Sequence, residues 1–151
     1  MPTYFDVLDA CRKTVEGIPG FKGVALHVRK APLWVPLQDQ LPQLVIACRA
    51  DLAERLHAKT GTTLHAWLEY QVYMGLFKDA RWDAESLRWR LARREDLRRA
   101  FLPPKSLYGV APGHVWNVAY DPAPAGGGPA PDNVDCSWQS FTFTDQEAKG
   151  F

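Results

Sequence analysis

The residues that could hold a metal ion or move a proton are scattered along this sequence. Asp135 and Asp145 are ten positions apart on one expected strand, too far to share a metal ion. The histidines lie far from one another, and none has an acidic or cysteine neighbour at the spacing of zinc ligands. They are His27, His57, His65 and His114. We therefore expect no metal ion and no cofactor.

Motifs for nucleophilic catalysis and phosphate binding are also missing from the sequence. No serine stands in a nucleophile-elbow context, and the glycine run at 126–128 lies among prolines with no helix after it. A phosphate loop needs that helix, because its N-terminal amides bind the anion. We expect no catalytic residues and no enzymatic activity.

An arginine-rich segment is the most strongly charged part of the chain. Residues 81–99 hold seven arginines against four carboxylates, a net charge of +3. This segment could be a phosphate-binding surface, a subunit contact in which guanidinium groups hold carboxylates, or a solvated helix face. At 100° per residue Arg90, Arg94 and Arg98 share one face. These three are candidates for a subunit contact or for the wall of a lumen.

Composition narrows the class of protein. The 151 residues suit one domain, 1–151, and 46% apolar with 23% charged residues is ordinary for a soluble protein. A net charge of +1 gives no global attraction to nucleic acid or acidic lipid. The start of the sequence does not have the pattern of a signal peptide. The three cysteines suggest reduced thiols in a cytoplasmic protein. No apolar run reaches the ~20 residues of a membrane helix. We expect no membrane partner.

A long strand at about 62–77 is the dominant element of the sequence. Its even positions are apolar at strict period two, whereas its odd positions mix polar groups with aromatics, so something is expected to cover part of that face. A strand that long must overhang its own sheet or pair with another chain. We interpret Trp67, Tyr73 and Phe77 on the mixed face as candidate partner contacts.

Helices are predicted on both sides of this strand in the chain. The first, at about 3–16, carries Phe5, Leu8, Cys11 and Val15 at helical spacing, and the second runs from about 82 to 101 until two prolines stop it. In the second helix Leu87 and Leu91 lie four apart, as do Leu97 and Phe101, which indicates an apolar stripe that is broad or has drifted. Both helices are expected to pack on the sheet.

Shorter strands complete a predicted α+β fold with a mixed or mostly antiparallel sheet and helices on one side. Residues 52–59 fit either a helical turn or a strand that forms a hairpin with the long one. The other strands are expected at 24–29, 43–48, 114–120 and 134–144. Two loops, 31–42 and 123–133, are expected to be flexible and to become ordered on docking. The first displays Trp34 and Leu37, which are further candidate contacts.

This order of parts resembles the tail-terminator or minor tail (gpU-like) family of long-tailed bacteriophages and related contractile or gene-transfer particles. The resemblance lies in the leading helix, LPQLVIAC after a proline-rich loop, LEYQVYMGL, the helix from Trp82, the strand ending at Tyr120-Asp121-Pro122, and the closing VDCSWQSFTFT. These segments cover nearly the whole chain.

The resemblance implies a virion structural protein. Such a subunit assembles in the host cytoplasm as a homo-oligomeric, hexameric ring at the head-proximal end of the tail tube. It stops tube growth and joins the tail to the neck, so its partners are itself, the tail-tube protein, the neck or connector protein, and the genome DNA in transit. The alternatives are another head–tail connector, a nucleic-acid-binding module that uses the arginine-rich helix at 81–99, and a small enzyme whose site the sequence does not show.

Overall fold

Helices and strands make up most of the residues that the computed structural model describes, which are 4–29, 40–48, 55–59, 65–79, 84–102, 116–124, 134–145 and 149–150. The helices are α1 (Tyr4–Glu16) and α2 (Ala84–Phe101), with a short 3-10 helix at Pro19–Phe21. The strands are β1 (Ala25–Arg29), β2 (Gln43–Ala47), β3 (Arg55–Lys59), β4 (His65–Asp79), β5 (Trp116–Asp121), β6 (Val134–Asp145) and β7 (Lys149–Gly150). The α+β class is as predicted.

One mixed sheet contains all of these strands. Its order is β1-β2-β4-β6-β5, and β3 and β7 each pair with β4. Only β1 and β2 are parallel, and every other described pair is antiparallel. The predicted sheet, with one long central strand, is therefore confirmed. The helices pack on it and close a single domain.

The long strand β4 is paired along most of both edges within the chain. One of its edges pairs first with β3 and then with β2, while the other pairs with β7 and β6. The part that extends beyond β2 is thus covered by the hairpin partner β3. Of the two alternatives for residues 52–59, the strand is correct over Arg55–Lys59. The length of β4 therefore does not require a strand from a second chain.

The helix-covered face of the sheet contains the main core. The even positions of β4 are buried there beneath α1 and α2, as the period-two pattern predicted: Tyr70, Val72, Met74 and Leu76. From α1 come Tyr4, Val7, Leu8, Cys11 and Val15. Tyr4 also fixes α1 to β4, because its hydroxyl donates to the carbonyl oxygen of Gln71 and its ring meets Tyr70 edge-on.

Helix α2 closes the other half of this core. Phe101 is fully buried, with its ring centroid 5.4 Å from that of Phe141 and 6.0 Å from that of Phe143 on β6. Leu97, one turn earlier, is also fully buried. Burying a side chain of this size contributes roughly 1.5–3 kcal/mol. The C-terminal half of α2 is therefore the part that packing holds most firmly.

The opposite face of the sheet is apolar at its centre as well. Tyr73 and Phe77 are 1% and 0% exposed, and Trp138 meets Phe77 edge-on at 5.7 Å. Gly75 makes room for that indole, since a Cβ atom there would lie 2.8 Å from three ring atoms of Trp138. This cluster also includes Val45, Ala47 and Val134, with Leu41 and Cys136 against it.

The prediction that Tyr73 and Phe77 form a partner interface is therefore wrong. Both side chains are enclosed by their own chain, so neither has surface left for a second molecule. The polar residues among them on the mixed face suggested a surface. A central strand of a sheet, however, can bury its aromatic residues on both faces when its neighbours are as apolar as β2, which is buried at every position.

Candidate subunit interface on helix α2

The predicted contact residues lie in different parts of the chain, and the structure describes only some of them. Trp34 and Leu37 lie outside the described residues, as do most of the loops 31–42 and 123–133. Trp67 is described only as a position on β4, in register with His57 of β3. The three arginines of the shared face, Arg90, Arg94 and Arg98, all lie on α2. That helix is where the structure can test the predicted site.

Arg94 fastens α2 to the sheet. Its Nη1 donates to Ser137 Oγ at 2.7 Å and to the carbonyl oxygen of Trp138 at 3.1 Å. Its Nη2 donates to the carbonyl oxygen of Pro122 at 2.8 Å and to the Tyr120 hydroxyl at 3.3 Å. One guanidinium thus joins β6 to the end of β5. Planar donors in a fixed fork suit this role, which a lysine could not fill.

Arg90 and Arg93 also bond within the chain. Arg90 Nη1 donates to both carboxylate oxygens of Asp135, at 2.8 and 3.0 Å, and each of these side chains is 30% exposed. Arg93 donates to the carbonyl oxygen of Gly20 at 2.6 Å and pairs with Asp96 at 3.0 Å. These bonds connect α2 with β6 and with the 3-10 helix.

Arg90 and Arg94 thus have a structural role that the sequence did not predict, because both guanidinium groups use donors to hold their own fold. Their contact with a partner stays a prediction. Arg98 differs, because its side chain is exposed and forms no hydrogen bond or ion pair with another described residue. Equal spacing did not give equal roles because only the first two reach the acceptors of β5 and β6.

A groove runs along the outer side of α2, between the helix and the end of β5. Its volume is about 630 Å³. It is lined by Ala84, Leu87, Arg88, Leu91, Ala92, Arg94, Glu95, Arg98, Tyr120 and Pro122. We call it the α2 groove. Leu87 and Leu91 are 45% and 54% exposed, so its apolar wall lies in water. Such a wall could form part of a contact with another protein.

Positive charge surrounds this apolar wall. Arg88 and Arg98 form no ion pair with the described residues, and Arg94 is bonded to neutral acceptors. Among the described residues of the lining Glu95 is the only carboxylate, and Arg99 donates to it at 2.7 Å. The described lining therefore combines leucine side chains with arginines that have no ion pair within it. Its chemistry fits a partner that presents an apolar side chain next to a carboxylate.

The cysteines are in poor surroundings for nucleophilic chemistry. Burial raises the pKa of Cys136 to about 12, and it also raises the pKa of Cys11 and of Cys48. A thiol with a raised pKa stays protonated near neutral pH, and the thiolate is the reactive form. Among the described residues no group of three or more His, Cys, Asp or Glu side chains could hold a metal ion.

Sequence reasoning missed the residues that form the groove. Leu87 and Leu91 were grouped with Leu97 and Phe101 as one broad or drifting stripe. Ten residues of helix rotate the chain by about 1,000°, which leaves the two pairs about 80° apart. That offset is a signal in the sequence, and it separates the exposed pair from the buried pair.

Comparison with known proteins adds no family to these observations. No protein-family model matches the sequence, and no curated protein matches it. No described helix is both long and apolar enough to cross a membrane. A functional assignment for this chain therefore depends on its fold and on the α2 groove.

Proposed function

We propose that this chain is a structural subunit of a phage-type tail, one that forms a ring, caps the tail tube and joins it to the neck. The observation that carries the proposal is the α2 groove, an apolar surface that a lone subunit leaves in water. Leu87 and Leu91 are about half exposed there. Covering them in a subunit contact removes apolar area from water at roughly 25 cal/mol per Å².

The fold agrees with the kind of subunit that the proposal requires. A small α+β subunit is what the resemblance to the tail-terminator family implies, and a single α+β domain is what the chain forms. The helix, strand and helix order named in that resemblance agrees with α1, β2, β4, α2, β5 and β6. In the proposed particle the subunit forms a hexameric ring in the virion. It contacts the tail-tube protein on one side and the neck on the other.

The arginines of α2 give less support to a nucleic-acid-binding module. Three phosphate contacts from Arg90, Arg94 and Arg98 would give a salt slope of only about −3. Two of those three guanidinium groups are already bonded within the chain. The remaining positive charge is modest, which suits a lumen through which DNA passes without being retained.

Sedimentation of the purified protein at tens of micromolar tests the proposal, with and without tail-tube protein. The expected result is one closed oligomer that is visible as a ring by negative-stain electron microscopy. In the presence of tail tubes, the ring should sit at one end and stop further growth. A protein that stays monomeric under both conditions is not a ring subunit, and the proposal then fails.

A further inference from the structure

Three of the four large apolar side chains that are exposed in the described part of the chain lie on α2 or directly after it. They are Leu87, Leu91 and Leu102, and we call them the leucine stripe. The fourth is Phe5 on α1, which the sequence pattern grouped with the buried Leu8; its side chain is exposed, so that grouping was wrong. Exposed apolar side chains of the described residues are therefore concentrated on one helix.

The leucine stripe follows one side of this helix. From Leu87, Leu91 is rotated by about 40° and Leu102 by about 60° around the helix axis. Leu102 keeps the helical direction beyond the last residue of α2, because its amide donates to the carbonyl oxygen of Arg98 at 3.0 Å. A rise of about 1.5 Å per residue from 87 to 102 gives the stripe a length of about 22 Å.

Two neighbouring depressions contain the stripe. Leu87 and Leu91 line the α2 groove, and Leu102 lines a second depression of about 530 Å³. Glu95 and Arg98 line both of them, so the two depressions form one elongated surface along α2. An elongated apolar surface of this kind suits an amphipathic helix, whose apolar side chains recur every three or four residues.

The charged groups along the stripe are mostly positive. Arg88 and Arg98 are exposed and form no ion pair with a described residue, while Arg94 is bonded to neutral acceptors. Glu95 is the only carboxylate among the described lining residues, and it already accepts a hydrogen bond from Arg99. Charge complementarity therefore favours an occupant that places carboxylates beside its apolar side chains.

Other kinds of occupant fit this surface less well. A nucleic acid presents a phosphate backbone, which gives the leucines no apolar partner. A flat lipid surface would not enter a groove that has Tyr120 and Pro122 as its second wall. A second copy that docked through its own α2 would bring the same arginines, and like charges repel.

We propose that the outer side of α2 binds an acidic amphipathic helix of a different protein. Its apolar side chains pack on the leucine stripe, and its carboxylates pair with Arg88 and Arg98. This inference rests on the proposed function and deepens it, because a subunit that joins a tail tube to a neck contacts proteins other than itself. It assigns α2 to one of those contacts and leaves the contact between copies to another part of the chain.

A designed, fluorescently labelled peptide of about 18 residues, or five helical turns, is the probe. It has leucines every three or four residues on one side and glutamates on both borders of that side. One control peptide has glutamine at each glutamate, and another has the same residues in scrambled order. Fluorescence anisotropy should show binding that weakens with salt and is about tenfold tighter than that of either control. Equal binding of either control peptide overturns the inference.

Variants of the protein locate the binding surface. Leu91→Asp places a carboxylate in the stripe and should weaken peptide binding by about tenfold or more. Phe5→Asp adds the same charge to an exposed apolar position on α1 and should bind like the wild type. Arg98→Met should weaken binding by about threefold to tenfold, whereas Lys22→Met, which removes an exposed cation outside both depressions, should not.

All four substituted side chains are exposed, so circular dichroism and thermal unfolding should match the wild type. Unchanged peptide binding in Leu91→Asp would show that the leucine stripe is not the docking surface. An equal loss in Phe5→Asp or in Lys22→Met would also overturn the inference, because the effect would then not depend on α2.

Two further measurements distinguish the occupant and separate this inference from the ring function. Vesicles of phosphatidylcholine and phosphatidylserine should not bind the protein in a flotation assay. Binding that Leu91→Asp abolishes would make the stripe a lipid surface and overturn the inference. Leu91→Asp should still form the ring wherever the wild type does. Loss of the ring would assign the stripe to the contact between copies, so the inference would fail while the ring function stands.

The opposite result separates the two as well. A wild type that stays monomeric with and without tail-tube protein overturns the ring function. Peptide binding is measured on the single subunit, so it supports or overturns the docking surface in that case too.

Discussion

The side of α2 that faces the sheet and the side that faces water both contain large apolar residues, but these residues differ in burial. On the inner side Leu97 and Phe101 are fully buried against the sheet, whereas on the outer side Leu87 and Leu91 are about half exposed. A rotation of about 80° around the helix axis separates the two pairs. The difference shows that the apolar residues of one helix serve two purposes, to close the core and to leave a surface for contact.

The arginines of α2 fall into the same two groups. Arg90, Arg93 and Arg94 reach acceptors on β6, β5 and the 3-10 helix, while Arg88 and Arg98 stay without a described partner. The inner arginines are therefore part of the architecture, and the outer ones set the electrostatic character of the groove. Matched substitutions on the two sides of α2 can test this difference.

Substitution of the buried Phe101 should have the largest effect on stability. Phe101→Ala leaves a cavity against Phe141 and Phe143, so the free energy of unfolding should fall by about 3–5 kcal/mol. The neighbouring Leu102→Ala, at a residue that is 41% exposed, should change it by no more than about 0.5 kcal/mol. Urea denaturation of both variants measures the difference. Equal losses would show that the inner side of α2 is not packed as described.

Arg94→Met should cause the second-largest loss of stability. The substitution removes the bonds to Ser137, Trp138 and Pro122 and should cost about 2 kcal/mol, the range for hydrogen bonds to a charged group. Arg98→Met, four residues away on the exposed side, is the matched control and should leave the stability unchanged. Thermal and urea unfolding of the pair provide the measurement. A destabilised Arg98→Met beside a stable Arg94→Met would reverse the proposed division of roles.

The half-buried ion pair of Arg90 with Asp135 should contribute less. A double-mutant cycle with Arg90→Met and Asp135→Asn is expected to give a coupling energy of about 1 kcal/mol, because each side chain retains contact with water. The coupling should weaken in molar salt. The same cycle with Arg88→Met in place of Arg90→Met should give no coupling. A coupling for Arg88 as large as that for Arg90 would contradict the geometry.

Substitutions on the outer side should have the smallest effect on the folded subunit. Leu87→Ser is expected to change the free energy of unfolding by no more than about 0.5 kcal/mol, because Leu87 is already in contact with water. Leu97→Ser, at a fully buried position, should be strongly destabilising. Both must be measured below the concentration at which the wild type assembles, since assembly would stabilise the native state. A large loss for Leu87→Ser would mean that the groove wall belongs to the core.

Periodicity predicted most of the elements correctly because it reports local geometry. The period-two pattern of 62–77 predicted β4, and its even positions from Tyr70 to Leu76 are buried as expected. The continuous apolar run at 43–48 gave β2, which is buried at every position. Residues 52–59 lacked a clear period, and only pairing with β4 shows that Arg55–Lys59 is a strand. A short segment of mixed polarity takes its structure from its neighbour.

The candidate site was predicted less well than the fold. The arginine-rich helix was identified, yet two of its three candidate contact residues, Arg90 and Arg94, bond to β6 and to the end of β5. The residues that do line the groove with exposed apolar side chains, Leu87 and Leu91, were assigned to a single stripe with the buried ones. Composition could mark the helix as unusual, but it could not show which side faced the sheet.

The class of the fold, the long strand, both helices and the positive charge of α2 could be predicted, because each depends on residues close together in the chain. What those residues do depends on the folded structure. Tyr73 and Phe77 are buried because β2 and β6 bring apolar neighbours to a second face of the sheet. Arg94 is structural because Ser137 and Pro122 lie within hydrogen-bonding distance across more than twenty residues of chain. Burial and bonding are properties of what surrounds a side chain, and those surroundings are distant in sequence.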